Sequence, residues 1–248
     1  MKVSVCLASF NGEKYIEMQI ESILSQISFD SEVIISDDGS IDSTVDIIKR
    51  FDESRIKLIS GPKNGLINNF ENTLKYATND IIFLCDQDDI WLPDKVNEAC
   101  KALLNNDLVV SDATVVNKDL ALIKKSLLGD VGDSNRNVIK NIIRNPFTGC
   151  CMAFNRKILN YALPFPKNIA MHDWWIGLIA SSLGRVKFLE QPLILYRRHE
   201  SNISETSNKS SVSFIVQVIW RIRMTYYLLK RILSYKCALY RMFLFSRV

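Results

Sequence analysis

The sequence predicts an α/β fold, a mostly parallel sheet flanked by helices, followed by a basic amphipathic helical segment at the C-terminus. Three observations predict it. Short apolar runs alternate with stretches of helical periodicity through the first 90 residues, the rhythm of parallel strands joined by right-handed crossovers. Ile81 to Cys85 is five apolar residues in succession, which marks a strand buried on both faces. Acids follow such runs directly, at Asp37-Asp38 and at Asp86-Gln87-Asp88-Asp89. In an open sheet the carboxyl ends of the strands border a crevice, so these acids face a cleft.

Taken in order, Val3 to Leu7 is a short strand that ends in the turn-rich Ala8-Ser9-Phe10-Asn11-Gly12. Tyr15, Ile16, Gln19, Ile20, Ile23 and Leu24 then follow helical spacing. Glu32 to Ser36 is the second strand, and Asp42 or Ser43 caps a helix whose inner face is Val45, Ile47, Ile48 and Phe51. Ile56 to Ser60 is a third strand closed by Gly61-Pro62, and a helix from Leu66 to Tyr76 leads into Ile81. Trp91-Leu92-Pro93 reads as the start of a helix reaching Asn105, with Pro in its first turn.

The second half is less regular. Leu108 to Ser111 is a strand, and Lys118 to Arg144 is a polar surface excursion over the cleft. Phe147 to Phe154 is a strand reached through a tight turn. Met171-His172-Asp173-Trp174-Trp175 opens a helix that ends near Gly184. Two short strands, Val186 to Leu189 and Leu193 to Tyr196, reach Arg197-Arg198-His199-Glu200-Ser201-Asn202. Residues 1–205 are expected to form the main domain and residues 206–248 a separate helical tail.

With 248 residues, 48% of them hydrophobic, the chain can bury a full core. Six cysteines show no paired metal-ligand spacing, and Cys6 and Cys85 fall within expected core strands. Reduced thiols in a cytosolic setting are therefore expected. The N-terminus lacks the long apolar run and cleavage site of a signal peptide, and no run reaches the roughly 18 apolar residues of a spanning helix. Net charge is +4, yet residues 1–205 hold 23 of the 31 bases and all 27 acids. A mildly acidic body argues against nucleic acid as a partner, and the acid-free tail argues for an anionic one.

Asp86, Asp88 and Asp89 would repel one another unless a cation or ligand donors lay between them. A hard divalent ion with open positions for phosphate is the simplest relief. Other readings of the same residues stay open. Asp37-Asp38-Gly39-Ser40 also makes a turn and helix cap, and Asp173 is an acid favoured by a helix N-terminus. His199 could be a solvated strand end, and Trp174 serves equally for packing or for stacking on a ligand ring.

Together the three cues, Asp37-Asp38-Gly39-Ser40, Asp86-Gln87-Asp88-Asp89-Ile90-Trp91 and His172-Asp173-Trp174-Trp175, resemble the inverting family 2 glycosyltransferases of the Rossmann-like GT-A fold. With Tyr196-Arg197-Arg198-His199-Glu200-Ser201-Asn202 added, the likeness is to bacterial rhamnosyl- and hexosyltransferases that assemble O-antigen or capsule repeats. It implies a metal-dependent enzyme moving sugar from a UDP- or dTDP-linked donor to a lipid-linked saccharide. Ala8, Phe10 and Asp38 would then hold the nucleotide base, and Asp86 would lie near the ribose. Asp88 and His199 would bind Mg²⁺ or Mn²⁺, Trp174 would contact substrate, and Asp173 would be the general base. Family members often carry Thr or Ser in place of Ala8 and Tyr in place of Phe10, so side-chain bonding to the base is weaker here.

Two alternatives belong to other classes. A sugar nucleotidyltransferase needs a Gly-rich phosphate loop near the first strand, and Ala8 to Lys14 offers little of one; a noncatalytic sugar-binding subunit is separated by measured turnover. No Gly-x-Ser-x-Gly supports a serine hydrolase.

Ile215, Ile219, Ile222, Tyr226, Leu229 and Leu233 repeat at alternating spacings of four and three, one apolar stripe if the tail is helical. The expected partner is the anionic inner face of the cell membrane, which makes the protein cytoplasmic and peripheral. The same spacing also describes a seam against the body or a second copy, hence a possible homo-oligomer.

Overall fold

The computed structural model describes residues 1–129, 137–200 and 213–245, with side chains in the last helix described to residue 237. Four parallel strands come first: β1 (Val3–Ser9), β2 (Glu32–Asp37), β3 (Ile56–Ser60) and β4 (Ile81–Asp86). Between them run α1 (Ile16–Leu24), α2 (Thr44–Arg50) and α3 (Leu66–Tyr76). β1 and β4 are apolar along most of their length because helices cover both faces, and every residue of β1 is buried. At the start of α2, Ser43 makes no side-chain bond, and Asp42 accepts the Thr44 N–H at 3.0 Å.

The second half adds β5 (Ile90–Trp91), α4 (Lys95–Leu103), β6 (Leu108–Asn117), β7 (Leu122–Lys124), α5 (Val138–Ile143), β8 (Met152–Asn155), α6 (Arg156–Ala162), α7 (His172–Leu183), β9 (Val186–Arg198) and α8 (Phe214–Phe245). The sheet order is β3-β2-β1-β4-β8-β6-β9-β5, with β7 paired to β6. β8 is antiparallel to both neighbours, whereas β6 and β9 are parallel. Six of the nine described strands run in one direction and β5, β7 and β8 run against them, so the parallel sheet that the strand–helix rhythm predicts holds through β1–β4 and becomes mixed in the second half.

Several elements differ from the sequence reading. Trp91 does not start a helix: it pairs with Ile194 in a two-residue strand, and α4 begins at Lys95 after Asp94 takes a left-handed φ of 67°. β6 runs on to Asn117, and β9 is one long strand in place of two short ones. The polar excursion contains β7 and α5, and the Phe147–Phe154 run opens with a 3-10 turn, Gly149–Cys151.

The tail is helical, and its orientation is informative. The expected stripe from Ile215 to Leu233 is exposed at all six positions. The opposite face packs on the body, with Met224 and Leu228 buried. Burial stabilises by roughly 1.5–3 kcal/mol for each such side chain. Arg231 turns inward, donating to the carbonyls of Tyr161, Leu163 and Pro164 and lying 5.5 Å from the Trp175 ring. The expected boundary at 205/206, with Ser201 and Asn202, lies outside the described residues. Among the described residues, no helix is long and apolar enough to cross a membrane.

Candidate active site

Strand register collects the acids. Ala8 of β1 lies beside Ser36 of β2 on one side and Asp86 of β4 on the other, and Ser9 lies beside Asp37. The ends of β2 and β4, on either side of β1, therefore deliver their acids to one edge. Asp37 is buried and fully used: its oxygens accept from Gly39 N–H, Ser40 N–H, Ser40 Oγ and Ser9 Oγ. It shapes the turn. Asp38 points the other way and holds the loop before α3, accepting the Lys63 N–H at 2.6 Å and the Gly65 N–H at 2.9 Å. Phe10, 54% exposed, presents an aromatic face at the same edge, whereas the Ala8 methyl is buried in the sheet.

Gln87 was not singled out from the sequence, yet it fixes the acid loop. Its side-chain amide accepts from the Phe10 N–H and donates to the Phe10 carbonyl, both at 2.9 Å. A Cβ added at Gly12 would lie 2.3 Å from Gln87 Oε1, so any side chain there must displace the amide and break its two bonds to Phe10. Gly12→Ala is expected to cost about 1–3 kcal/mol of stability by urea unfolding, and Gln87→Ala in the same chain should recover most of it. An unchanged unfolding midpoint in the single variant would show that the Gln87 amide swings aside freely.

β9 returns to the acid loop. The Arg197 N–H donates to Asp89 Oδ1 at 2.9 Å, and Arg197 Nε donates to the Asp88 carbonyl at 2.8 Å. These bonds place His199 Nε2 2.8 Å from Asp88 Oδ2, with the imidazole stacked on Tyr15. The two residues that the resemblance gives as metal ligands thus lie within hydrogen-bond distance of each other.

Asp173 stands at the first turn of α7. Its carboxylate accepts the Gly149 N–H at 3.1 Å and the Trp174 N–H at 2.5 Å, and burial pushes its pKa up to about 6. Asp86 is pushed up to about 7, mainly by burial and further by the charges of Asp88 and Asp173. Asp86 thus lies within the fields of the acid loop and of α7 together. Asp89 is buried, and its pKa is raised as well, again by burial first.

Donor atoms of Asp86, Asp89 and Cys150 lie within 4.8 Å of one another. Below them, Lys95 is buried, donating to the Cys150 carbonyl at 3.1 Å with its ammonium near the rings of Trp91 and Phe83. Lys95 supplies counter-charge to the floor of the cluster. Carboxylates and an imidazole around one crowded acid loop form a donor set that suits a divalent cation such as Mg²⁺ or Mn²⁺.

Trp174 is placed differently from the expected substrate contact. It is buried, and its indole N–H donates to the Asn141 carbonyl at 2.8 Å. It anchors α5 to α7. His172 is also buried, stacked on Phe70 at 3.9 Å, and burial lowers its pKa to about 3.

The family model for glycosyl transferase family 2 matches residues 4–162. The dTDP-rhamnosyl transferase RfbG of Shigella flexneri is 27% identical over 212 residues, 79% of this chain and 72% of that protein. The UDP-Glc:alpha-D-GlcNAc-diphosphoundecaprenol beta-1,3-glucosyltransferase WfgD of Escherichia coli is 26% identical, covering 84% of this chain and 80% of its own length. Among solved structures, S. aureus TarS 1-349 with UDP-GlcNAc superposes with a TM-score of 0.66 at 19% identity, over 84% of this chain and 61% of that one. The mannosyltransferase PcManGT of Pyrobaculum calidifontis, with GDP-Man and Mn²⁺, gives 0.57 at 22% identity, over 77% and 55%. This chain thus spans about three-fifths of the length of those solved proteins, and at such identities the superpositions establish the GT-A fold alone. With the strand-end acids, the Asp88–His199 pair and the half-buried Asp173 on that fold, and the family model matched over most of the sheet, the chain belongs to glycosyl transferase family 2.

Proposed function

We propose that this chain is an inverting, metal-dependent hexosyltransferase that moves sugar from a UDP- or dTDP-linked donor to a hydroxyl of a lipid-linked saccharide in surface polysaccharide synthesis. The observation that carries the reading is geometric: one turn touches both parts of the site, with the Gly149 N–H on Asp173 Oδ2 at 3.1 Å and the next residue, Cys150, within 4.8 Å of the Asp86 and Asp89 carboxylates. A diphosphate-binding acid loop and a proton acceptor therefore share one cleft. Relatives named for dTDP-rhamnosyl and UDP-glucosyl transfer support the donor class, and the diphosphoundecaprenol acceptor of WfgD supports the lipid link.

In this reading Asp88 and His199 hold Mg²⁺ or Mn²⁺, which when bound neutralises charge on the departing diphosphate. Asp86 stands at the end of β4 toward the ribose. Asp38 keeps the Lys63–Gly65 loop closed beside the base and has lone pairs left for a pyrimidine N–H, while Phe10 stacks on the ring. Asp173 takes the proton of the acceptor hydroxyl as that oxygen bonds to the anomeric carbon. The bond from carbon to diphosphate oxygen breaks with its electron pair on the diphosphate, and the centre inverts. The half-buried setting of Asp173 suits a base, because a carboxylate raised toward neutrality accepts a proton more readily.

The acid-free basic tail supports a peripheral position on the cytoplasmic face of the cell membrane, where a lipid-linked acceptor resides. A thermal-shift panel of UDP, dTDP, GDP and CDP, each with and without Mn²⁺, tests the donor class. Stabilisation by UDP or dTDP only when Mn²⁺ is present is the expected result; no response to any nucleotide overturns the reading. Asp38→Ala should weaken uridine nucleotides while leaving base-free diphosphate almost unaffected, since a buried N–H without an acceptor costs about 1–3 kcal/mol. Equal loss for both ligands in a competition assay would remove Asp38 from base recognition.

A further inference from the structure

We infer that α5 and α8 together form a single surface that docks onto an anionic phospholipid bilayer, so that the tail is one half of a two-helix platform. The inference rests on the membrane-bound acceptor proposed above and adds the surface that meets the membrane. On α8 the six residues of the 4–3 stripe point outward, with Ile215 70% and Ile222 64% exposed, although an apolar stripe ordinarily marks the buried side of a helix. On α5, one turn apart, Ile139 is 69% and Ile143 is 59% exposed.

The two helices are joined. Arg221 of α8 donates from Nε and Nη2 to the Ile143 carbonyl at 3.0 and 2.8 Å. α5 is in turn fixed to α7 by the Trp174–Asn141 bond and by Asn141 Nδ2 donating to Ser181 Oγ at 3.0 Å. The apolar ridges are therefore attached to the helix that carries Asp173.

Charge selects the occupant. Lys140 on α5, Arg144 just past its C-terminus, and Arg223 and Lys230 on α8 are exposed beside the ridges. No acid occurs from residue 137 to 172 or after Glu205. A second copy packed on this seam would set bases against bases, because the positions that flank a coiled-coil core here hold Arg223 and Lys230 with no acidic complement. An anionic bilayer accepts both features, taking the apolar side chains below its headgroups and the bases among them. Since no described helix is long and apolar enough to span, the platform lies in the membrane plane.

Flotation of the full chain with phosphatidylglycerol-containing vesicles, against phosphatidylcholine alone, tests this. The chain should float with the anionic vesicles, and Arg223→Gln with Lys230→Gln should weaken partition about thirtyfold. Ile139→Glu with Ile143→Glu on α5 should weaken it about as much as Ile222→Glu with Leu229→Glu on α8. These positions are exposed, so circular-dichroism melting should match the wild type and confirm folded variants. Unchanged partition in the α5 pair, or sedimentation velocity showing a dimer that the α8 pair dissociates, would overturn the platform. Nucleotide binding measured without vesicles separates the two ideas: a chain that binds UDP or dTDP but never floats refutes only the platform, and one that floats but binds no nucleotide refutes only the transferase reading.

Discussion

Asp173→Asn is expected to lose roughly 10²- to 10⁴-fold of turnover while donor affinity stays nearly intact, because a general base acts on the acceptor and in the transition state. Its carboxylate sits at the N-terminal turn of α7 with the Gly149 and Trp174 N–H groups on its oxygens. Those bonds orient it, and burial still sets the balance, holding the pKa at about 6 against a usual 3.8. Wild-type kcat/KM should therefore rise with pH through about 6 as the base form appears, and the variant should lose that limb. The stability effect has the opposite sign. Between about pH 4 and 6 the folded protein binds a proton that the unfolded chain has released, so stability falls as pH rises through that window. At pH 7 the Asn variant should melt no lower than the wild type. A turnover loss under about tenfold would assign the proton to another group; a large drop in melting temperature would make the loss structural.

Much of the fold was legible because β1, β2 and β4 are almost wholly buried, and a strand covered by helices shows as a near-continuous apolar run, whereas the edge strand β3 is only partly covered. Ile56–Ser60 and Leu66–Tyr76 have the bounds their periodicity gives, and Ile81–Cys85 extends by one residue to Asp86. The second half was harder for physical reasons. β5 is two residues long, made by pairing with β9, and local sequence carries no trace of such pairing. β9 looks like two strands because its register against β6 shifts across the Glu190-Gln191-Pro192 stretch.

Within the site, the placing of the acids at one sheet edge was legible because they directly follow apolar runs, although the particular bonds that Asp37 and Asp38 make in their turns were not. Gln87 was not legible either: a polar residue between acids looks like loop, and its role depends on the absence of a side chain at Gly12. Lys95 carried a signal that could have been found. It lies one turn before Ala99 on the side of α4 that also carries Val96, Cys100 and Leu103, so a base stands where the helix faces the core. Trp174 was misassigned because an aromatic beside a presumed base suggests stacking, whereas its indole N–H is used by Asn141. On α8 the apolar pattern has two sides, and the sequence cannot say which meets the body. Met224 and Leu228, with Arg231 capping carbonyls of the α6 end, decide it.

Asp88→Asn is expected to remove the dependence of UDP or dTDP binding on a divalent ion and to lower Mn²⁺ affinity by more than about 100-fold. The scale follows from ligand chemistry, since partners that only orient a metal ligand already cost 10- to 100-fold when changed. Asp88 is the acid whose oxygen lies 2.8 Å from His199 Nε2, and its backbone carbonyl is held by Arg197 Nε, so the loop keeps its place when the charge goes. His199→Gln tests the second donor and should lose less, because the carboxylate remains. Neither change touches the Gln87–Phe10 clamp or the Asp89–Arg197 bond, which keeps a folding defect from imitating a lost metal. Calorimetry in which the wild type binds UDP and dTDP equally with EDTA and with Mn²⁺ would end the metal reading. The acid loop would then owe its crowding to Lys95 beneath it, and charge on the departing diphosphate would have to be met by the bases of β9.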